Sequence, residues 1–224
     1  MPPVTRAPAV VRANRRNGTP DQLRAHHGYF YSWKLDALIP YRGLLAFDYL
    51  TLTEADPRVI QIDTSLESVQ WTDGTQWKDY RARYGVVRRT RRGAVPHTVE
   101  VEVLNSKTLT EQYRTYSRIK RAFKEEGRQL LIFTEKQIRI EPRLTNSKLI
   151  LTHAGNGICK EEDLALVRQV AAGTAPFSLN QLVENCVLTY PRAYGAVLNL
   201  VASGELVFPM GKVFDGDSPV MRRI

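Results

Sequence analysis

The sequence predicts a two-part α/β chain: a central mixed sheet with helices on both faces, then three short helices and a hairpin. Two observations predict it. Residues 44–133 read in turn as helix, consecutive strands, helix and strand, and around residues 144–156 the texture changes to short helical patterns. A chain of 224 residues can bury one sizeable core and a second small one. The expected division is residues 1–27, 28–145 and 146–224.

Residues 1–27 mix Pro, Ala, Arg and Asn without periodicity. They read as a flexible basic arm, either lying along a phosphate backbone or serving no role. From Gly28 the chain becomes aromatic and apolar. Leu45, Tyr49 and Leu52 fall at helical spacing, predicting a helix over 44–54 that a turn-like Asp56-Pro57 closes. Residues 59–62, 66–71, 80–87 and 98–104 are rich in β-branched and aromatic side chains and read as strands. "TDGT" (72–75) and "RRTRRG" (88–93) supply turns, because Asp-Gly and a terminal Gly tolerate positive φ. Leu109, Tyr113, Tyr116, Ile119 and Phe123 then draw one apolar stripe down a helix that ends at Gly127. Its other side carries Arg114, Arg118, Lys120, Arg121 and Lys124, a face turned either to solvent or to phosphate. Residues 130–133 read as a buried strand leading to a polar connection.

The second part carries helical patterns over 161–172, over 178–187 with Ser178 as N-cap, and over 191–202 with Pro191 in the first turn and Gly204 after the end. "ELVFPMGKVF" adds two strand fragments about a Pro-Met-Gly turn. Three helices and a hairpin make the outline of a winged helix, whose third helix can enter a major groove. Its readers here would be Arg192, Tyr194 and Asn199. Winged helices also bind proteins, and the outline does not choose.

A net charge of +9 predicts attraction to polyanions, with nucleic acid ahead of an anionic membrane or an acidic protein. No apolar stretch approaches the ~20 residues of a membrane span, and the basic start lacks the apolar core of a secretion signal, so an intracellular chain without a membrane partner is expected. Two cysteines, Cys159 and Cys186, and four histidines form no zinc spacing, and both thiols read as buried. Arg81 and Arg83 on one strand face, with Arg88, Arg89, Arg91 and Arg92 in the next turn, make the densest basic patch: a phosphate contact or a solubilising hairpin tip. Trp71 and Trp77 read as core or sheet-face residues ahead of base-stacking platforms.

One stretch carries a resemblance. "GYFYSWKLDALIPYRGLLAFDYLTLTEADPRV" resembles the start of the TnsA-type endonuclease subunits of heteromeric transposases, through Gly28, Phe30, Ser32 and Lys34 and an exit at Asp56, Pro57 and Val59. The strands, the helix ending at Gly127, "LLIFTEKQI" and the tail "GELVFPMGKVFDGDSPVMRR" extend it over most of residues 28–223. The resemblance implies a restriction-endonuclease-like fold and a prokaryotic or phage-encoded cytoplasmic protein that works with DNA and a transposase subunit. It also implies a catalytic set: a helix Glu, a strand Asp, and a Glu or Gln followed two residues later by Lys. Phosphodiester hydrolysis at magnesium needs converging carboxylates to hold the ion and a Lys to position water and stabilise charge.

In this chain those positions depart from the pattern. The helix Glu falls on Ala46, the strand Pro-Asp on Ala82 and Arg83, and the Lys on Glu102 or Leu104, while the upstream "W-E-S" reads Tyr41, Arg42 and Gly43. The resemblance with these departures implies a DNA-binding scaffold that has lost cleavage and needs no cofactor. Two alternatives stand beside it. A relocated Mg2+ or Mn2+ site would use Glu100 and Glu102, which share a strand face, with Asp48, roughly 200° around the helix from Ala46. The alternative without an ion is that the paired acids are simply exposed opposite the basic hairpin. A protein-binding accessory factor, engaging an acidic partner through the arginine-rich turn, is the other alternative.

Overall fold

The computed structural model describes residues 9–10, 26–90, 94–155, 158–173, 175–186 and 188–223. Most of the predicted basic arm, and Arg91 and Arg92 of the predicted patch, lie outside them. The chain forms two compact units, Met1–Leu50 with Val59–Ile138, and Thr51–Arg58 with Arg139–Ile224. The predicted boundary at 145/146 thus falls at 138/139 instead, and residues 51–58 belong to the second unit.

The first unit opens with a small sheet. β1 (Ala9–Val10) pairs parallel to β3 (Ala37–Arg42), and β2 (His27–Ser32) pairs antiparallel to β3. α1 (Leu44–Ala55) follows, matching the predicted helix. Its Ala46, Tyr49, Leu50 and Thr53, spaced three and four apart, are all buried. The main sheet has the order β4 (Val59–Asp63), β7 (Tyr84–Arg88), β8 (His97–Val103), β9 (Leu130–Phe133); the first three run antiparallel and β9 joins β8 in parallel. A parallel neighbour requires a long crossover, supplied here by α2 (Ser106–Glu111) and α3 (Tyr113–Glu125). The sequence predicts one helix for this crossover. The structure breaks it at Gln112, where φ −108° and ψ 24° leave the helical region.

A hairpin of β5 (Val69–Thr72) and β6 (Trp77–Tyr80) is inserted before β7, turning at Gly74 with φ +101° as the Asp-Gly pair predicts. Residues 80–87, predicted as one strand, are therefore the end of β6, a bend and most of β7. Ala82 at the bend is buried among Val69, Trp71, Ile119, Phe123 and Leu130, and that packing overrides strand propensity. α3 covers this face of the sheet. On the other face Tyr49 of α1 stacks on Tyr84, ring centroids 5.9 Å apart, and packs on Phe133 at 5.3 Å. The sheet is mixed and flanked by helices. The predicted polar connection after β9 is a one-turn helix, α4 (Glu135–Ile138). Its Glu135 accepts hydrogen bonds from the hydroxyl and amide of Ser106, which hold the carboxyl below its ordinary range and tie the start of α4 to the start of α2.

The second unit contains α5 (Arg143–Thr152), α6 (Glu161–Val170), α7 (Leu179–Cys186) and α8 (Tyr190–Ala202), with β10 (Leu206–Val207) paired antiparallel to β11 (Met221–Arg222). α5 is absent from the sequence reading because its polar Asn146 and Ser147 are buried and scramble the stripe. Asn146 donates to the carbonyl of Lys212 and accepts from the amide of Phe214. β10 pairs with residues 221–222, not with the "KVF" segment that the sequence suggests. No described helix is long and apolar enough to cross a membrane.

Gly204 closes α8 with φ +79°, and a Cβ built there would lie 2.8 Å from Cβ of Pro57. Gly204→Ala therefore meets both a left-handed backbone and a collision. It is expected to destabilise the chain by about 1–2 kcal/mol or more, read as a lower urea midpoint.

Candidate functional site

β7 and β8 are in antiparallel register with Tyr84 opposite Val101, and the amide of Arg83 donates to the carbonyl of Val101. That register sets Arg83 beside Glu102, nineteen residues away in sequence. The Arg83 Nε donates to Oε1 of Glu102 at 3.0 Å, and its Nη1 donates to the carbonyl of Arg42 at 2.9 Å. The Tyr80 hydroxyl donates to Oε2 of the same carboxylate at 2.5 Å. Glu102 is fully buried, so both oxygens need partners, and these groups supply them. Burial is the largest influence and works against the charge on Arg83, but Glu102 together with Tyr84 and Tyr80 outweighs it and holds the guanidinium above its ordinary pKa.

Glu100, two residues earlier on the same strand face, is held by Arg128. Its Oε1 accepts from Nε at 2.6 Å and its Oε2 from Nη2 at 2.8 Å, a bidentate fork. Nη2 also donates to the carbonyl of Glu67, Nη1 donates to Glu126, and the guanidinium lies 4.9 Å from the ring centre of Phe123. The hydrogen bonds to Glu100 raise the pKa of Arg128 further.

The positions on which the resemblance places its catalytic set come close in part. Arg83 and Glu102 touch, and the carbonyl that Arg83 also binds belongs to Arg42, just before α1. Ala46 is buried on the sheet-facing stripe of α1, and Leu104 follows the end of β8, with its amide bonded to the carbonyl of Phe133. Asp48 is buried as well. The described residues contain no group of three or more His, Cys, Asp or Glu arranged to hold a metal ion. Glu100 and Glu102 each already carry an arginine on their oxygens, and a cation beside Arg83 would meet repulsion on the order of several kcal/mol.

No protein-family model matches the chain, and no curated protein matches it. The chemistry of the site therefore rests on its own geometry.

Four arginines of the predicted basic patch lie among the described residues. Arg81 and Arg83 lie in the bend between β6 and β7, not on a strand, and Arg83 is committed to Glu102. Arg88 is half-buried at the end of β7, and Arg89 is exposed. Trp71 is buried, as expected, whereas Trp77 is 71% exposed on the opposite hairpin face. Arg114, Arg118, Lys120, Arg121 and Lys124 all lie on the exposed side of α3.

α8, expected as a groove-reading helix, is chiefly a core element. It buries Ala193, Gly195, Ala196, Val197, Leu198, Leu200 and Val201, and only its first turn is exposed. Arg192 forms a two-armed ion pair with Asp163 of α6. Tyr194 packs against His153, Tyr190 and Phe214, and burial pushes its hydroxyl pKa up. Asn199 donates to the carbonyls of His153 and Gly155. Cys159 is half-buried, with its thiol pKa raised by burial and by nearby Asp163.

Sequence reasoning misses Tyr80 and Arg128 as partners of the two glutamates, and the carbonyl of Arg42 as a partner of Arg83. Arg128 follows directly on Gly127, a helix stop, but only the parallel β8–β9 register, Glu100 opposite Leu130, brings it to Glu100. Arg83→Met is expected to cost about 3–5 kcal/mol by leaving Glu102 buried without its cation, while Arg83→Met with Glu102→Leu recovers most of that loss. Urea unfolding followed by tryptophan fluorescence measures both.

Proposed function

We propose that this chain is a DNA-binding protein on a TnsA-like endonuclease scaffold that has lost cleavage, acting in a nucleoprotein assembly of a mobile element or phage. The observation that carries the reading is the Arg83–Glu102 ion pair. In the resembling family a metal-holding carboxylate stands at the first position and, when Glu100 is aligned as the acid, a lysine at the second. Here the polarity is exchanged: a guanidinium stands where a dication would need an anion. The pair keeps the strands together and leaves the position without affinity for a metal.

The topology supports the scaffold. A helix, three antiparallel strands, a helix and a parallel fourth strand match the order expected of a restriction-endonuclease-like core. In the second unit, α6, α7, α8, the β10–β11 pair and the bridge from Phe177 to Val220 fit a winged-helix-like arrangement. Because most of α8 is internal, we assign this unit to assembly ahead of base reading. The excess of positive charge supports a nucleic-acid partner, and a prokaryotic or phage-infected cytoplasm is the setting the reading implies.

A titration of Mg2+ and Mn2+ on supercoiled plasmid, run on a gel that reports nicking and mobility together, tests the reading. Retarded plasmid without nicking is expected at every metal concentration. Nicking that disappears in Glu100→Ala or Glu102→Ala would overturn the loss of cleavage. A plasmid neither nicked nor retarded would overturn DNA binding.

A further inference from the structure

We infer that the outer face of α3 is the surface that grips duplex DNA, through its phosphates and without reading sequence; this rests on the DNA-binding reading above. The face is defined by packing. Ile119, Ala122 and Phe123 are buried against the sheet, and Tyr113, Arg114, Ser117, Arg118, Lys120 and Lys124 occupy the opposite arc, nearly all of them exposed. Arg114 to Lys124 spans about 15 Å along the helix axis.

Charge on this face is unbalanced because its neighbouring acids are already engaged. Glu111 pairs with Lys107, Glu125 with Arg121 at 2.9 Å, Glu126 with Arg128, and Asp73 with Lys78. Arg114, Arg118, Lys120 and Lys124 have no acidic partner among the described residues. Arg118 also donates through Nη1 to the carbonyl of Asp73 in the β5–β6 turn, which ties the guanidinium to the hairpin without neutralising its charge.

The composition selects the partner. Guanidinium, ammonium and hydroxyl groups are the donors that bind phosphate oxygens. A protein interface would be expected to centre on apolar anchors and to avoid lysine, and a membrane-lying helix would need an apolar outer face; this arc has neither. Single-stranded nucleic acid calls for aromatic platforms that bases can stack on, and Tyr113 is the sole aromatic side chain of the arc. A duplex presents one phosphate charge per ~1.7 Å of axis, so several lie within reach of the stripe.

The test uses the full chain and a fluorescein-labelled duplex of arbitrary sequence in chelator, with anisotropy followed across a salt series. Arg114→Glu/Lys120→Glu/Lys124→Glu is compared with the parent and with Arg88→Ala/Arg89→Ala. The triple variant is expected to weaken binding about tenfold or more and to flatten the log–log salt slope by about 3, at an unchanged thermal midpoint. Equal affinity in parent and triple variant, or a weaker variant with an unchanged slope, overturns the inference. Loss in the Arg88/Arg89 variant alone moves DNA binding to the β7–β8 turn, leaving the functional reading standing. Absence of binding by the parent overturns both.

Discussion

Glu102 is a carboxylate with almost no access to water, placed in the middle of a sheet that must close around it. Such a group is tolerated only if both its oxygens are bonded and its charge is met. Arg83 and Tyr80 meet those needs, and in doing so they fix the bend between β6 and β7 and the entry of β7 beside β8. Through its second bond, to the carbonyl of Arg42, Arg83 also fixes the end of β3 just ahead of α1. One buried charge thus organises four segments of the first unit. Glu100 repeats the arrangement nearby, where its fork with Arg128 pins the chain between α3 and β9 to the middle of β8.

The two pairs bear differently on stability and on function. Their contribution to stability is chiefly conditional: each removes the penalty that the other partner would incur if left alone, and neither need surpass a well-packed apolar pair. Functionally, they occupy the carboxylates that a hydrolytic metal site would require. The loss of cleavage in the proposed function follows from this occupancy, whereas the proposed affinity for DNA comes from elsewhere. The acids next to α3 are each paired locally, so its outer arc retains an uncancelled positive charge facing solvent.

Much of the fold is legible in the sequence because its signals are local. The stripe from Tyr116 to Phe123, the Asp-Gly turn at Gly74 and the starts and stops of α6 and α8 all depend on residues within a few positions of one another. The candidate site is less legible. Ala46 and Arg83 can be marked as unusual by the resemblance, but the bond from Arg83 to Glu102 depends on the β7–β8 register. The Arg128–Glu100 fork similarly needs the parallel crossover. α5 is hidden by Asn146, a polar side chain whose partners near residues 210–214 lie far along the chain. α8 is found as a helix, yet its burial on several sides is a property of the surrounding α5, α6 and α7 and cannot be read from its own pattern.

Arginines, not a dication, stand against Glu100 and Glu102. A Mn2+ titration of the full chain followed by electron paramagnetic resonance tests this without relying on activity or on DNA. The signal of free hydrated Mn2+ is expected to grow in proportion to added metal from the first addition. Disappearance of the first equivalent from that signal, restored by Glu102→Gln, would show that the carboxylates hold a metal and would contradict the account.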